Sequence, residues 1–300
     1  MTYGRPAAGT DRLGAGFFAA LDQSGGSTPK ALAEYGIDES RYDSEAEMFD
    51  LVHEMRTRVV TNPAFDGSRI LGAILFEQTM ERDMLGVPTP RYLWEQKQVV
   101  PFLKVDKGLA DERDGVQLMK PIDTLDRLLE RANHHRVFGT KMRSVIKDAD
   151  KDGVAAVADQ QVDYGRRIAA AGLVPILEPE VSIDSPHKEE AETLLREALQ
   201  SRIAALPDDT TIMLKLTIPT RPGLYAGLAA DPRVLRVLAL SGGYSRDVAC
   251  DLLAKDPAMI ASFSRALLEG LTADQTDEQF TARLDASVAQ IFTASVEKTT

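Results

Sequence analysis

Short, strongly apolar runs alternate along this chain with longer amphipathic stretches. In order the runs are AGFFAALD (15–22), ILGAILFE (70–77), VVPFLKVD (99–106), VFGTKMR (137–143), LVPILEPE (173–180), TIMLKL (211–216), VLRVLALSGG (234–243) and MIASFSRAL (259–267). Each is apolar on both alternating faces and ends in charged or hydroxyl groups, the pattern of strands in a parallel sheet covered by helices. The intervening stretches carry helical spacing. Residues 44–60 open with Ser44 and Glu47 at capping-box distance, and 124–135 place Leu125, Leu128 and Leu129 on one stripe. Residues 153–172 run to a glycine suited to a helix end, and 185–206 and 245–256 follow the same logic. An extra helix is expected within 28–68 and another at 273–298. Eight strand–helix units in this length predict a single-domain (β/α)8 barrel with its core at about 13–270, followed by a C-terminal helix. Lys104, Lys141, Glu178 and Lys215 stand 37 positions apart without any repeat of sequence around them, so the spacing reflects architecture.

Composition narrows the function. The 300 residues are 44% hydrophobic and 27% charged, as in ordinary soluble domains, and the net charge of -11 argues against nucleic-acid or anionic-membrane partners. Cys250 is the single cysteine, so no intrachain disulfide is possible. The N-terminus lacks the pattern of a signal peptide, and no stretch reaches the ~20 apolar residues of a membrane span. The expectation is a cytoplasmic protein.

Barrel chemistry sits at the C-terminal strand ends. Those ends carry Asp22, Glu77, Lys104, Asp106, Lys141, Arg143, Glu178, Glu180, Lys215, Ser241 and Arg265. One lysine at a strand end is ordinary solvation; three lysines, two arginines and several carboxylates at one mouth are a working face. Lys215 interrupts an otherwise apolar strand, where burying an unpaired ammonium is costly. A deprotonated lysine in such a setting attacks a carbonyl and forms an iminium, which lets the carbon–carbon bond beta to it break. Asp22, Glu178 and Glu180 are candidates for the accompanying proton transfers. The paired glycines of LALSGGYSRD (238–247) lie after strand seven and before a helix, where backbone N–H groups cradle phosphate, and Arg265 from strand eight reaches the same anion. LDQSGGSTPK (21–30) repeats the arrangement after strand one. Two anion sites flanking a reactive lysine point to a sugar bisphosphate.

These segments resemble the class I (Schiff-base) fructose-bisphosphate aldolases. The similarity is carried by LDQSGGSTPKALAEYGI, RILGAILFEQTM, FLKVDKG, GTKMR, LVPILEPE, MLKLT, LALSGG and FSRAL, in the family's order from residue 21 to 267. The resemblance implies that Lys215 is the Schiff-base lysine and Glu178 the acid/base group. It implies supporting parts for Asp22, Lys141 and Glu180. Ser241, Gly242, Gly243 and Arg265 correspond to the site for the phosphate near the ketone. Lys104, Arg143, Ser24 and Ser27, with Lys30, correspond to positions around the substrate or its other phosphate. The implied reaction is reversible cleavage of fructose 1,6-bisphosphate to dihydroxyacetone phosphate and glyceraldehyde 3-phosphate by a homo-oligomer, with no cofactor and no metal, because the iminium is the electron sink. Alternatives are a Schiff-base aldolase for another phosphosugar, such as tagatose 1,6-bisphosphate, and a non-catalytic sugar-phosphate-binding barrel. The sequence departs from the animal-type pattern at Gln23 (usually glutamate), Ala31 (arginine) and Leu216 (proline), and it ends VEKTT without a tyrosine. Those departures imply the shorter bacterial-type branch.

Two motifs invite other readings. DADKDGVAAVAD (148–159) nearly fits a calcium loop but has Asp159 where a bidentate glutamate belongs, so a helix N-terminus explains its acids better. GAGFFA (14–19) is a GxGxxA string that leads into a strand instead of following one, contrary to a dinucleotide site.

Overall fold

A computed structural model describes residues 14–25 and 27–299, with the backbone alone at Ser27. Eight parallel strands form the barrel: β1 (Phe17–Leu21), β2 (Ile70–Leu75), β3 (Val100–Lys104), β4 (Gly139–Ile146), β5 (Val174–Val181), β6 (Ile212–Thr217), β7 (Val234–Leu240) and β8 (Ile260–Phe263). Their order is β3-β2-β1-β8-β7-β6-β5-β4, and pairing of β3 with β4 closes the sheet on itself. Each strand coincides with one of the apolar runs.

The helices used below are α1 (Ser27–Glu34), α2 (Glu45–Thr61), α3 (Leu125–His134), α4 (Lys151–Ala170), α5 (Lys188–Ala204), α6 (Arg246–Ala254) and α7 (Asp277–Val296). Their starts follow capping chemistry. The Ser44 side chain accepts from Glu47 N ahead of α2, Asp150 accepts from Gly153 N ahead of α4, and Thr276 with Gln279 forms a full capping box ahead of α7. The acids of the calcium-like stretch are thereby accounted for: Asp150 caps α4 and Asp148 pairs with His187 at 2.7 Å. Cys250 is buried in α6, where desolvation pushes its thiol up to about 12.

Two apolar layers result from strand alternation. Outward side chains meet the helices in one continuous core, whereas Phe18, Ala20, Ile74, Phe102, Ile176, Met213, Leu238 and Ile260 fill the lumen. The lumen is tight enough to dictate Gly139, where a Cβ would lie 2.1 Å from Val174 O and 2.7 Å from the Phe102 ring. Side chains two residues further along point the same way. Asp22 therefore stands over Ala20, Lys104 over Phe102, Glu178 over Ile176, Lys215 over Met213 and Ser262 over Ile260, a polar ring on an apolar plug.

Two features have no counterpart in the hydrophobic pattern. Asp83–Met84 and Val87–Pro88 form a small hairpin, and Val116–Gln117 adds an antiparallel strand to the end of β4. Two residues are too short to show a period.

Candidate active site

A cavity of about 620 Å3 opens at the C-terminal mouth of the barrel. Asp22, Ser24, Lys30, Lys104, Lys141, Arg143, Glu178, Glu180, Lys215, Ser241, Gly242 and Arg265 all line it. Gly243 lines an adjoining cavity of about 350 Å3 instead, together with Arg265. The Ser27 side chain and residue 26 lie outside the described residues.

A charged chain crosses the floor. Lys215 Nζ is 2.9 Å from Glu178 Oε1, Glu178 Oε2 is 2.8 Å from Lys141 Nζ, and Lys141 Nζ is 2.7 Å from Asp22 Oδ2. Lys215, Glu178 and Lys141 are each no more than 4% exposed. Groups this buried are tolerable only because opposite charges alternate along the chain. Burial works against the charge on Asp22, but Lys141, Lys215 and Lys104 outweigh it and hold the carboxyl far below the usual range. Glu178 follows the same balance and is lowered, with Lys141 and Lys215 as its cations. Burial also opposes the Lys141 charge, yet Asp22 and Glu178 raise its pKa strongly, so it stays an ammonium. Glu180 behaves differently. Desolvation dominates over Arg143, and its pKa is raised. Three carboxylates in one mouth thus differ in proton affinity, the condition for dividing acid and base work between them.

Two cations stand above the floor, paired for the present with neighbours. Lys104 Nζ is 2.6 Å from Asp106 Oδ1, and Arg143 Nη1 is 3.0 Å from Glu180 Oε2. On the β7–β8 side the backbone of Gly242 is left-handed, and a Cβ there would lie 2.7 Å from Ile183 Cγ2, so both conformation and space require glycine. A Cβ on Gly243 would lie 3.7 Å from Arg265 Nη2, which places the guanidinium beside the turn that precedes α6. Main-chain donors and an exposed arginine there can hold a dianion.

Glu77 does not join the site. β2 ends at Leu75, and Glu77 begins a short helix that turns it outward to Lys107 and Arg131, each at 2.8 Å. Conversely, three groups at or under the site were not singled out from sequence. Gln161 of α4 is fully buried; its Nε2 donates to Ser144 Oγ at 2.8 Å and its Oε1 accepts from Glu178 N at 3.2 Å. Arg56 of α2 is 1% exposed and reaches the residue after Asp22. Ser262 is buried against the cavity, and its Oγ has no protein partner. Gln161 and Arg56 had a signal: each is a polar residue set into the apolar stripe of its helix, beside Val157, Ala158 and Val162 or Val52, Met55 and Val59.

Comparison with known proteins bears on the family and the fold. The family described as fructose-bisphosphate aldolase class-I matches residues 9–226. The fructose-bisphosphate aldolase class 1 of Synechocystis sp. is 56% identical over 281 residues, covering 94% of both chains. Among solved structures, fructose-bisphosphate aldolase from Plasmodium falciparum, in complex with TRAP and a small-molecule inhibitor, superposes with a TM-score of 0.75 at 22% identity, covering 96% of this chain and 92% of that one. A structural-genomics target from Corynebacterium glutamicum superposes with a TM-score of 0.55 at 16% identity, covering 94% and 85%. The two structures speak for the barrel alone; the family match and the majority-identical relative speak for more. On their extent and identity, this chain belongs to the class I fructose-bisphosphate aldolases.

Proposed function

We propose that Lys215 is the residue through which this metal-independent lyase forms its Schiff base with fructose 1,6-bisphosphate. The observation that carries the assignment is the buried contact of Lys215 Nζ with Glu178 Oε1 at 2.9 Å, at the mouth where barrel chemistry sits. Across this contact Glu178 takes a proton from Lys215, and the neutral amine adds to the C2 ketone, one of its two remaining protons passing to the oxygen to give the carbinolamine. The carbinolamine oxygen leaves as water with a proton supplied by Glu178, while the Lys141 ammonium steadies the departing oxygen. The resulting iminium draws electrons from the C3–C4 bond. Glu178, now a carboxylate, takes the C4 hydroxyl proton; the bond breaks, glyceraldehyde 3-phosphate leaves and an enamine remains. Protonation at C3 and hydrolysis return dihydroxyacetone phosphate and the free lysine. Glu178 is the carboxylate in direct contact with Lys215, which places it to act as the base, while Lys141, Lys215 and Lys104 hold Asp22 far below the usual carboxylate range. Asp22 orients Lys141 and the substrate, and Glu180 supports Arg143.

Ser241, Gly242, Gly243 and Arg265 hold the phosphate near the ketone. Lys104, Arg143, Ser24, Ser27 and Lys30 receive the other, which competes with Asp106 and Glu180 for the first two cations. Among the described residues no helix is long and apolar enough to cross a membrane. Family membership is what supports reading the chain as a single-domain, homo-oligomeric enzyme of the cytoplasm. The test is cleavage by Lys215→Ala in an assay that reports triose production. Activity should fall to background while the protein remains folded, and substantial residual turnover would move the Schiff base elsewhere.

A further inference from the structure

The joint between β1 and β8 is short. Its backbone register covers Phe18 with Ser262 and Ala19 with Phe263. Beyond it the two chain segments carry Asp22 on one side and Arg265 on the other, with no ladder to fix their separation. Side chains continue the joint. Gln23 Nε2 donates to Ser264 Oγ at 2.7 Å, bridging from the β1 end to the residue before Arg265. Arg56 Nη2 donates to Gln23 O at 2.5 Å and to Gln23 Oε1 at 3.4 Å, and its Nη1 donates to Thr79 Oγ1 at 2.7 Å.

Three properties make this more than filling. A buried arginine is costly, and apolar residues of similar volume commonly replace buried charges without loss of stability. Among the described residues Arg56 donates to neutral acceptors alone, so the guanidinium is not held by a bonded carboxylate. And Gln23 uses both ends of its amide, accepting from Arg56 and donating to Ser264, a bridge that a carboxylate, with no proton to donate, could not make.

We propose that Arg56 is a positioning residue that acts through Gln23 and Ser264 to set the separation between Arg265 and the Asp22–Lys141–Glu178 cluster. The inference rests on the reading of Arg265 as a phosphate ligand. A substrate held by its phosphate at Arg265 must present its ketone to Lys215, so slack in the lace misplaces the anchor before it disturbs the chemistry. The buried charge responds to its surroundings in the same sense: desolvation lowers Arg56 to about 10, and Asp22 is the anion that opposes this.

The experiment measures kcat and KM for fructose 1,6-bisphosphate in Arg56→Met, Gln23→Leu, Ser264→Ala, Arg265→Met and the double variant Gln23→Leu/Arg265→Met. Loss of hydrogen bonds to a charged group predicts a rise in KM of about tenfold for Arg56→Met and Gln23→Leu, with kcat changed by less than about threefold. The double variant should be no worse than Arg265→Met alone, because both changes remove the same anchoring. Should Arg56→Met fail to fold, Gln23→Leu and Ser264→Ala carry the test. Unchanged KM in these two, or a Gln23→Leu effect that adds fully to that of Arg265→Met, would overturn the proposal. An unchanged KM in Arg265→Met would instead remove the phosphate reading beneath it, and the proposal with it.

Discussion

Lys141→Met tests the charged floor. Lys141 lies 2.7 Å from Asp22 and 2.8 Å from Glu178, and all three are almost fully buried. At an effective dielectric of about 20, unit charges at these separations attract by about 6 kcal/mol each. Desolvation of the ammonium returns much of that gross figure. What the substitution leaves behind matters more: Glu178 keeps Lys215, but Asp22 becomes a buried carboxylate without its ion-pair partner. Breaking a buried pair in this way costs about 3–5 kcal/mol, against about 0–1 kcal/mol for a solvated pair. The pH dependence gives the sign. Because the folded pKa of Asp22 is depressed, its contribution to stability is present above the ordinary aspartate value of about 3.9 and is lost as pH falls through the folded value. In the variant the Lys141 share of the depression is lost while Lys215, Lys104 and burial remain, so the carboxyl moves upward and the deficit is greatest near neutral pH and shrinks on acidification. Urea unfolding of both proteins at pH 7.5 and 5.0, followed by fluorescence of Trp94, reads this out. A deficit below about 1 kcal/mol, or one that does not change with pH, would refute the picture of an alternating buried chain.

Three further outcomes follow from the same geometry. Arg143→Met removes the foremost of the cations that oppose desolvation at Glu180, so that carboxyl should rise further in an NMR titration of the free enzyme; an unmoved titration would show that Arg143 does not hold it down. Gln161→Leu leaves the Glu178 N–H without its acceptor, which should cost about 1–3 kcal/mol of stability and lower kcat more than it changes KM; a variant as stable and as fast as the parent would contradict the support assigned to Gln161. Prolonged dialysis against EDTA should leave the rate of cleavage unchanged, since the iminium is the electron sink, whereas loss of activity restored by a divalent cation would contradict metal-independent chemistry.

Much of this was legible from residue pattern because a (β/α)8 barrel writes itself twice, as apolar runs and as polar residues where those runs end. Lys104, Lys141, Glu178 and Lys215 are found by both signs, and all four line the cavity. Glu77 shows where that logic fails. It satisfies the rule that a polar residue ends a strand, but β2 stops two residues earlier and the chain has already turned into a helix. Arg56 and Gln161 fail in the opposite direction. Periodicity assigns such positions to a helix's buried face, and an isolated polar residue there looks like an interruption until its partners, distant in sequence, are seen. The bridge from Gln23 to Ser264 joins residues 241 positions apart. Only closure of the barrel brings them together.

The central claim is a covalent bond between Lys215 and the substrate ketone. Incubation with dihydroxyacetone phosphate, reduction with borohydride and peptide mass spectrometry tests it directly. The account predicts one stable secondary-amine adduct on Lys215, accompanied by loss of cleavage activity. An active enzyme that yields no adduct, or an adduct on Lys104 or Lys141 in place of Lys215, would contradict it.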